Sequence, residues 1–320
     1  MTTATTPQPP TVPLAIWPVA QITAQWQRAG RYLPDCTRHP GKMLPELARR
    51  IVTEYSDPGA LVVDPLAGIG TTVAEAALLD RRAVGVELED RWVALAGANL
   101  DHMLGSKQRR RAEVRHGDAR RLAEVLGDLA GRVDLIVTSP PYACDAGVLG
   151  DLAGRVDLIV TSPPYACDAG VIDKPAWLAG GRLCPADTLN YSSDRANIGH
   201  ARGPAYAEAM AEIFAACHAV LRPGGRLVVV TKNTRRKGRM LDLAGLTVAL
   251  ATGARFSYLG HVVALHAAIR DGDLAPRPSY WQATQLRHAR QRGEPAHLVA
   301  HEDVTSFIRI TTRSEAAHAR

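Results

Sequence analysis

Leu61-Val62-Val63-Asp64-Pro65-Leu66-Ala67-Gly68-Ile69-Gly70-Thr71-Thr72 passes from an apolar run, through an acid and two spaced glycines, into an alanine-rich stretch ending at Leu79. The apolar run reads as a short buried strand and the alanine-rich stretch as a helix. Glycines between a strand and a helix let the backbone approach a ligand closely. A carboxylate at the strand end, here Asp64, suits an ammonium group or a ribose. The same alternation continues outward. Lys42 to Tyr55 spaces Met43, Leu47 and Ile51 as a helix does; Ala83 to Leu88 reads as a strand and Arg91 to Leu100 as a helix. Glu113 to Arg115 leads to Asp118, and Tyr206 to Leu221 carries an apolar helical face. Gly224 and Gly225 are expected to stop that helix before a strand over Arg226 to Thr231. Strands alternating with helices predict an α/β fold with an open, mostly parallel sheet.

Two more acids follow the glycine turn. Glu87 closes the next strand, about twenty residues on, where an acid binds both ribose hydroxyls of a nucleotide. Asp118 follows the third strand and either accepts from an adenine amino group or caps a helix. The string that decides the chemistry is Val133 to Tyr142, VDLIVTSPPY, an apolar strand running into Ser139-Pro140-Pro141-Tyr142. Two prolines make the turn rigid and poor in donors. Their carbonyls and the serine hydroxyl become pre-set acceptors for amino hydrogens, and the tyrosine ring suits stacking on a planar base. Methyl transfer to such an amino group needs alignment more than a strong base.

One repeat stands out. Leu126 to Val148 and Leu149 to Val171 are identical over 23 residues, so Ser162-Pro163-Pro164-Tyr165 repeats the turn letter for letter. A parallel sheet has one slot for this strand, and the first copy is expected to take it because its chain closure is shorter.

These strings resemble the amino-methyltransferases of DNA, the N4-cytosine and N6-adenine group. Asp64 to Thr72 is similar to their cofactor motif, Ser139 to Tyr142 to their catalytic motif, and Leu221 to Gly225 with the strand after it to their next region. His39-Pro40-Gly41-Lys42 is similar to the segment that covers the methionine end of the cofactor. The resemblance implies the Rossmann-like, seven-stranded class I methyltransferase fold with helices on both faces. It also implies S-adenosyl-L-methionine as cofactor, held by His39, Lys42, Asp64, Pro65, Gly68, Gly70, Thr71, Thr72, Glu87 and Asp118. The catalytic turn is then Ser139, Pro140, Pro141 and Tyr142, or its duplicate. Leu66 and Ile69 depart from the family's usual aromatic and serine. Ser139, in place of Asp or Asn, points to cytosine N4 before adenine N6. An RNA (tRNA) base amino-methyltransferase and a catalytically impaired nucleic-acid-binding homologue stay open, and a small-molecule methyltransferase fits the turn poorly.

Composition agrees with a soluble enzyme. The 320 residues are 46% apolar and 22% charged, with a formal net charge of +6. Basic clusters at Lys107–Arg111, Lys232–Arg239 and Arg287–Arg292 favour contact with phosphate, and the resemblance implies DNA as the partner, before RNA. No apolar run reaches the roughly 18 residues of a membrane span, and the start lacks a signal-peptide pattern, so a cytoplasmic protein is expected. The five cysteines form no C-x-x-C pair and no zinc spacing, so no metal is expected. Residues 1–13 read as a disordered segment, 14–313 as a single methyltransferase domain and 314–320 as a flexible tail.

Overall fold

The computed structural model describes residues 13–39, 41–141, 197–201, 204–236, 239–278 and 280–310. The helices in chain order are α1 (Ala24–Arg28), α2 (Pro45–Tyr55), α3 (Thr71–Leu78), α4 (Asp90–Met103), α5 (Ser106–Arg109), α6 (Leu122–Leu126), α7 (Pro204–Val220), α8 (Leu243–Gly253) and α9 (Tyr280–Gln291). The strands of the central sheet are β1 (Ile16–Pro18), β2 (Leu61–Asp64), β3 (Arg82–Glu87), β4 (Ala112–His116), β5 (Val133–Thr138), β6 (Leu221–Thr231), β9 (Phe256–Leu265) and β12 (His301–Arg309). Two hairpins lie outside it, β7 (Thr234–Arg236) with β8 (Arg239–Leu241) and β10 (Ala267–Arg270) with β11 (Asp273–Pro276).

The sheet order is β1-β9-β12-β6-β5-β2-β3-β4. Every pairing is parallel except those of β12, which runs antiparallel to β6 and β9. This is the class I methyltransferase sheet, mostly parallel with helices on both faces. The described residues add an eighth strand to the seven expected: β1 pairs with the edge of β9. The chain before α1 carried no strand-length pattern, and only this edge provides β1 with a partner.

Alternate residues of the central strands feed two cores. Val63, Val84, Ile136 and Val229 pack under α6, α7 and α8 with Leu126, Phe214 and Leu246. Val62, Leu135, Val137 and Val228 pack against α2, α3 and α4 with Ile51, Val73 and Leu100. Burial on both faces is why these strands are continuous apolar runs. Among the described residues no helix is long and apolar enough to cross a membrane.

The strand in the slot between β2 and β6 is the first copy of the repeat. Val62 pairs with Leu135, and Thr138 pairs with Val229. Asp134 of that copy accepts from Leu61 N at 2.7 Å and from Arg222 Nε at 2.5 Å, tying the slot's lower end to both neighbours. Tyr142 and the whole second copy, with Ser162, Pro163, Pro164 and Tyr165, lie outside the described residues.

One local expectation is corrected. The helix before β6 ends at Val220, ahead of the glycines, and Arg222–Gly225 instead form an irregularity within β6. Gly224 takes φ +76°, and a Cβ on Gly225 would stand 2.8 Å from the Arg222 carbonyl. Glycine is thus demanded by the bulge rather than by a helix stop. The cluster Lys107–Arg111 lies where β4 begins, at the edge of the sheet away from the strand ends that carry Asp64 and Glu87. Arg109 pairs with Asp101 and Arg111 with Asp80 there.

Gly85 of β3 sits beneath the glycine turn: a Cβ there would come within 2.8 Å of Ala67 Cβ and 2.9 Å of Val73 Cγ2. Gly85→Ala is expected to cost about 1–3 kcal/mol by overpacking. Urea denaturation showing no loss of stability would contradict that packing.

Candidate active site

In a parallel sheet the loops that leave the strand ends converge on one edge. There a cavity of about 670 Å³ is lined by the last residues of β2 and β3 and by those just after β4 and β5. The expected residues Asp64, Pro65, Gly68, Thr71 and Thr72 line it from the turn after β2, and Glu87 and Asp118 from the next two strand ends. His39 and Lys42 line it from the segment before α2, and Ser139, Pro140 and Pro141 from the end of β5. Gly70 is not brought to the cavity. It takes φ +81° as the residue that opens α3, and a Cβ there would press on Ala96.

The turn is shaped by its neighbours. Glu87 holds it from below: Gly68 N donates to Oε2 at 2.8 Å and Glu89 N to Oε1 at 3.0 Å. A Cβ on Gly68 would lie 3.1 Å from His39 Nε2, so the imidazole fills the space that glycine leaves. His39 is buried and packs edge-on against Trp92 at 4.6 Å. Burial, then the nearby Lys42, pushes its pKa down to about 3, so the ring is neutral. Lys42 donates to the His39 carbonyl.

The acids differ in state. Asp64 is buried, and burial pushes its pKa up to about 7 despite hydrogen bonds from Thr72 and Leu66 N. Burial also raises Glu87. Burial raises Asp118 too, but hydrogen bonds from Arg120 outweigh it and leave the carboxyl below its usual range. Asp118 accepts from Arg120 N at 2.9 Å and pairs with its guanidinium at 2.5 Å, so it caps the turn after β4 while lining the cavity.

The far part of the cavity is lined by residues that sequence reasoning missed: Arg28 of α1, His266, and Glu302 of β12. Arg28 donates to the Met43 carbonyl at 2.5 Å, and its buried Nε has no hydrogen-bond partner among the described residues. Neither Arg28 nor Lys42 has a carboxylate within ion-pair distance among those residues. Burial, then Arg28, lowers Lys42 to about 8. Glu302 stands 3.0 Å from His266. Burial raises its pKa, but His266, Lys232 and Arg28 outweigh that and hold it anionic. No local pattern in the sequence marks these three, since they come from α1 and, more than two hundred residues later, from the link between β9 and β10 and from β12.

The donor set fits S-adenosylmethionine: acids at successive strand ends for the adenosine, a glycine turn closed only by a neutral ring, and two cations facing an acid for the amino-acid end.

Known proteins give a partial match. The likeness is confined to segments: a tRNA (guanine(10)-N2)-dimethyltransferase of Methanocaldococcus jannaschii is 36% identical over 107 residues, 32% of this chain and 30% of that protein. The DNA adenine methyltransferase YhdJ of Escherichia coli is 36% identical over 72 residues, 22% of this chain and 24% of that protein. The chain thus spans about three tenths or less of the curated relatives it matches. Among solved structures, a putative RNA methyltransferase from Pyrococcus horikoshii has 11% identity and a TM-score of 0.42, covering 83% of each chain. Residues 6–97 match the DNA methylase family N6_N4_Mtase, so the family resemblance read from the sequence, and the cofactor it carries, are borne out over the segment that builds the glycine turn.

Proposed function

We propose that the chain transfers a methyl group from S-adenosylmethionine to an exocyclic amino group of a nucleic-acid base, cytosine N4 in DNA first and adenine N6 second. The observation that carries the proposal is that Ser139, Pro140 and Pro141 end β5 in the same cavity as Asp64 and Glu87. When bound, the cofactor supplies an electrophilic methyl on a sulfonium. The Ser139 hydroxyl and the proline carbonyls accept the amino hydrogens and aim the nitrogen lone pair. With its lone pair so aimed, the amino nitrogen would be the methyl acceptor, and its surplus proton would leave to solvent. The target base leaves its stack to reach the turn, where Tyr142 or its duplicate Tyr165 stacks on it.

A second reading, an RNA base amino-methyltransferase, is favoured by one observation: the likeness to tRNA (guanine(10)-N2)-dimethyltransferases. Labelled cofactor offered with duplex DNA and with tRNA, followed by nucleoside analysis, separates the two. N4-methylcytosine in DNA is the expected product, and activity should survive chelator. Finding 5-methylcytosine alone sinks both, because that chemistry needs a nucleophilic cysteine the turn lacks.

Glu87→Ala should weaken S-adenosylmethionine binding by about 1–3 kcal/mol, the loss expected for hydrogen bonds to a charged group. Calorimetry showing unchanged affinity would remove Glu87 from the ribose.

A further inference from the structure

The link between β9 and β12, residues 266–300, starts and ends at the edge that carries the cavity. β12 is antiparallel to both β6 and β9, and β6 is parallel to β5, so β9 runs the same way as β5. The chain therefore leaves β9 at the edge where β5 delivers Ser139, and β12 re-enters the sheet from it. Within the link, Leu274 to Gly293 holds four arginines, Arg277, Arg287, Arg290 and Arg292, and no acid. Arg277 is half-buried and lines the cavity, set between Pro276 and Pro278, which line it too. Its Nε donates to the Ala20 carbonyl at 2.8 Å and its Nη2 to the Gln21 carbonyl at 3.2 Å. Two carbonyls fix the guanidinium without neutralising it, and three of its five N–H groups remain for a ligand. Helix α9 follows. Gln282, in its first turn, lines the cavity and donates to the Val299 carbonyl at 3.1 Å, so the helix starts at the cavity and leads away from it. Ala289 is buried on its inner side, while Arg287 is exposed, five residues beyond Gln282 and about 7.5 Å along the axis. Among the described residues neither Arg277 nor Arg287 has a carboxylate within ion-pair distance, whereas Arg292 is paired with Glu294 at 2.8 Å and Arg290 donates to the Ala296 carbonyl.

We infer that Arg277 and Arg287 form a phosphate track for the nucleic-acid strand whose base enters the cavity, with Arg277 beside that base and Arg287 further along the strand. A guanidinium fixed in place, uncompensated and open on its remaining N–H groups matches the paired oxygens of a phosphodiester. This rests on the nucleic-acid reading above, and it names which surface holds the partner. Each phosphate neutralised contributes about 0.9 to the slope of log affinity against log salt for duplex DNA and about 0.7 for a single strand. The two arginines together therefore account for a slope of about 1.4–1.8.

The test is fluorescence anisotropy of the full chain against a labelled DNA duplex, a single-stranded DNA and a tRNA, across a salt series. Arg277→Ala/Arg287→Ala should lose about tenfold or more in affinity and about 1.4–1.8 in slope, with S-adenosylmethionine binding unchanged by calorimetry. Each single variant should lower the slope by roughly half of that. Arg277→Lys/Arg287→Lys should restore the slope, because lysine keeps the charge, and Lys107→Ala/Arg110→Ala, at the far edge of the sheet, should leave it alone. Arg277 also tethers the Ala20–Gln21 carbonyls, so a purely structural role would weaken S-adenosylmethionine binding and leave the slope unchanged. If Arg277→Ala fails to fold, Arg287→Ala, an exposed change, still reads the slope. Wild-type binding with an unchanged slope in either single variant that folds overturns the track and leaves the methyltransferase reading intact. An equal loss in Lys107→Ala/Arg110→Ala also overturns it. Binding of none of the probes by the wild type overturns the nucleic-acid reading itself, and the track with it.

Discussion

Asp64→Asn is expected to stabilise the ligand-free protein above pH 7 while removing most of its affinity for S-adenosylmethionine. The Asp64 carboxyl is fully buried at the end of β2, and burial raises its pKa from 3.8 to about 7. A group whose folded pKa is raised favours the folded state when protonated. Its contribution is fully present below pH 3.8 and is lost as pH rises through about 7. Above that pH the buried anion costs on the order of 3–4 kcal/mol relative to the protonated form. Asparagine keeps the shape and can still accept from Leu66 N, which now bonds Oδ1 at 3.1 Å, but it carries no charge to bury. Its melting temperature should exceed wild type by several degrees at pH 8, since about 1 kcal/mol moves a protein of this size by roughly 2–4 °C. The gain should shrink at pH 5, where the folded wild-type carboxyl is neutral but the unfolded one is ionised, and vanish only below pH 3.8. Losing a charge-assisted bond of about 1.5–3 kcal/mol should weaken the cofactor tenfold or more. His39, neutral in the folded protein but titrating at 6.5 when unfolded, changes stability with pH equally in wild type and variant and cancels from the comparison. A lower melting temperature at pH 8, or undiminished cofactor affinity, would contradict the role given to Asp64.

Deleting Leu149 to Val171 should leave an active protein, and Ile136→Ala should hurt that deletion variant more than it hurts the full chain. Ile136 is fully buried in β5, and truncating such a residue costs about 2–5 kcal/mol. In the full chain an undamaged, identical strand exists 23 residues later. Exchanging it into the slot inserts 23 residues into the connection before β5, a closure cost of about 1 kcal/mol on a logarithmic law. Shortening the long connection after the strand returns a fraction of that. The exchange therefore costs about 1 kcal/mol or less, which caps the damage that any single change in the first copy can do. Ile159→Ala, in the second copy, should be silent. Denaturant melts of Ile136→Ala, Ile159→Ala and the double variant read this directly. The double variant should show the full loss, and so should Ile136→Ala after deletion. Equal effects of the two single variants would mean that the slot has no preferred copy. For chemistry, Tyr142→Ala in the deletion variant should lose roughly 5–150-fold in activity, from about 1–3 kcal/mol of base stacking.

The apolar runs at Leu61–Val63 and Ala83–Val86, closed by Asp64 and Glu87, determined by themselves that a parallel sheet would present carboxylates along one edge. That much is local, because a strand buried on both faces must be continuously apolar and its polar residues fall at its end. The resemblance carried by the glycine turn and the Ser-Pro-Pro-Tyr turn added the cofactor and the class of reaction. The tertiary structure decided what depends on distant partners. It placed Val133–Thr138, not its identical copy, in the slot, because chain connection distinguishes strands that composition cannot. It turned Gly70 toward Ala96 and away from the cavity, and kept the glycines of β6 for a bulge. It sent Lys107–Arg111 to the edge of the sheet away from the strand ends that carry Asp64 and Glu87. It also joined Arg28 to Lys42 and Glu302 along one cavity. Residues that far apart in the chain meet only through packing, and spacing along the sequence holds no record of it.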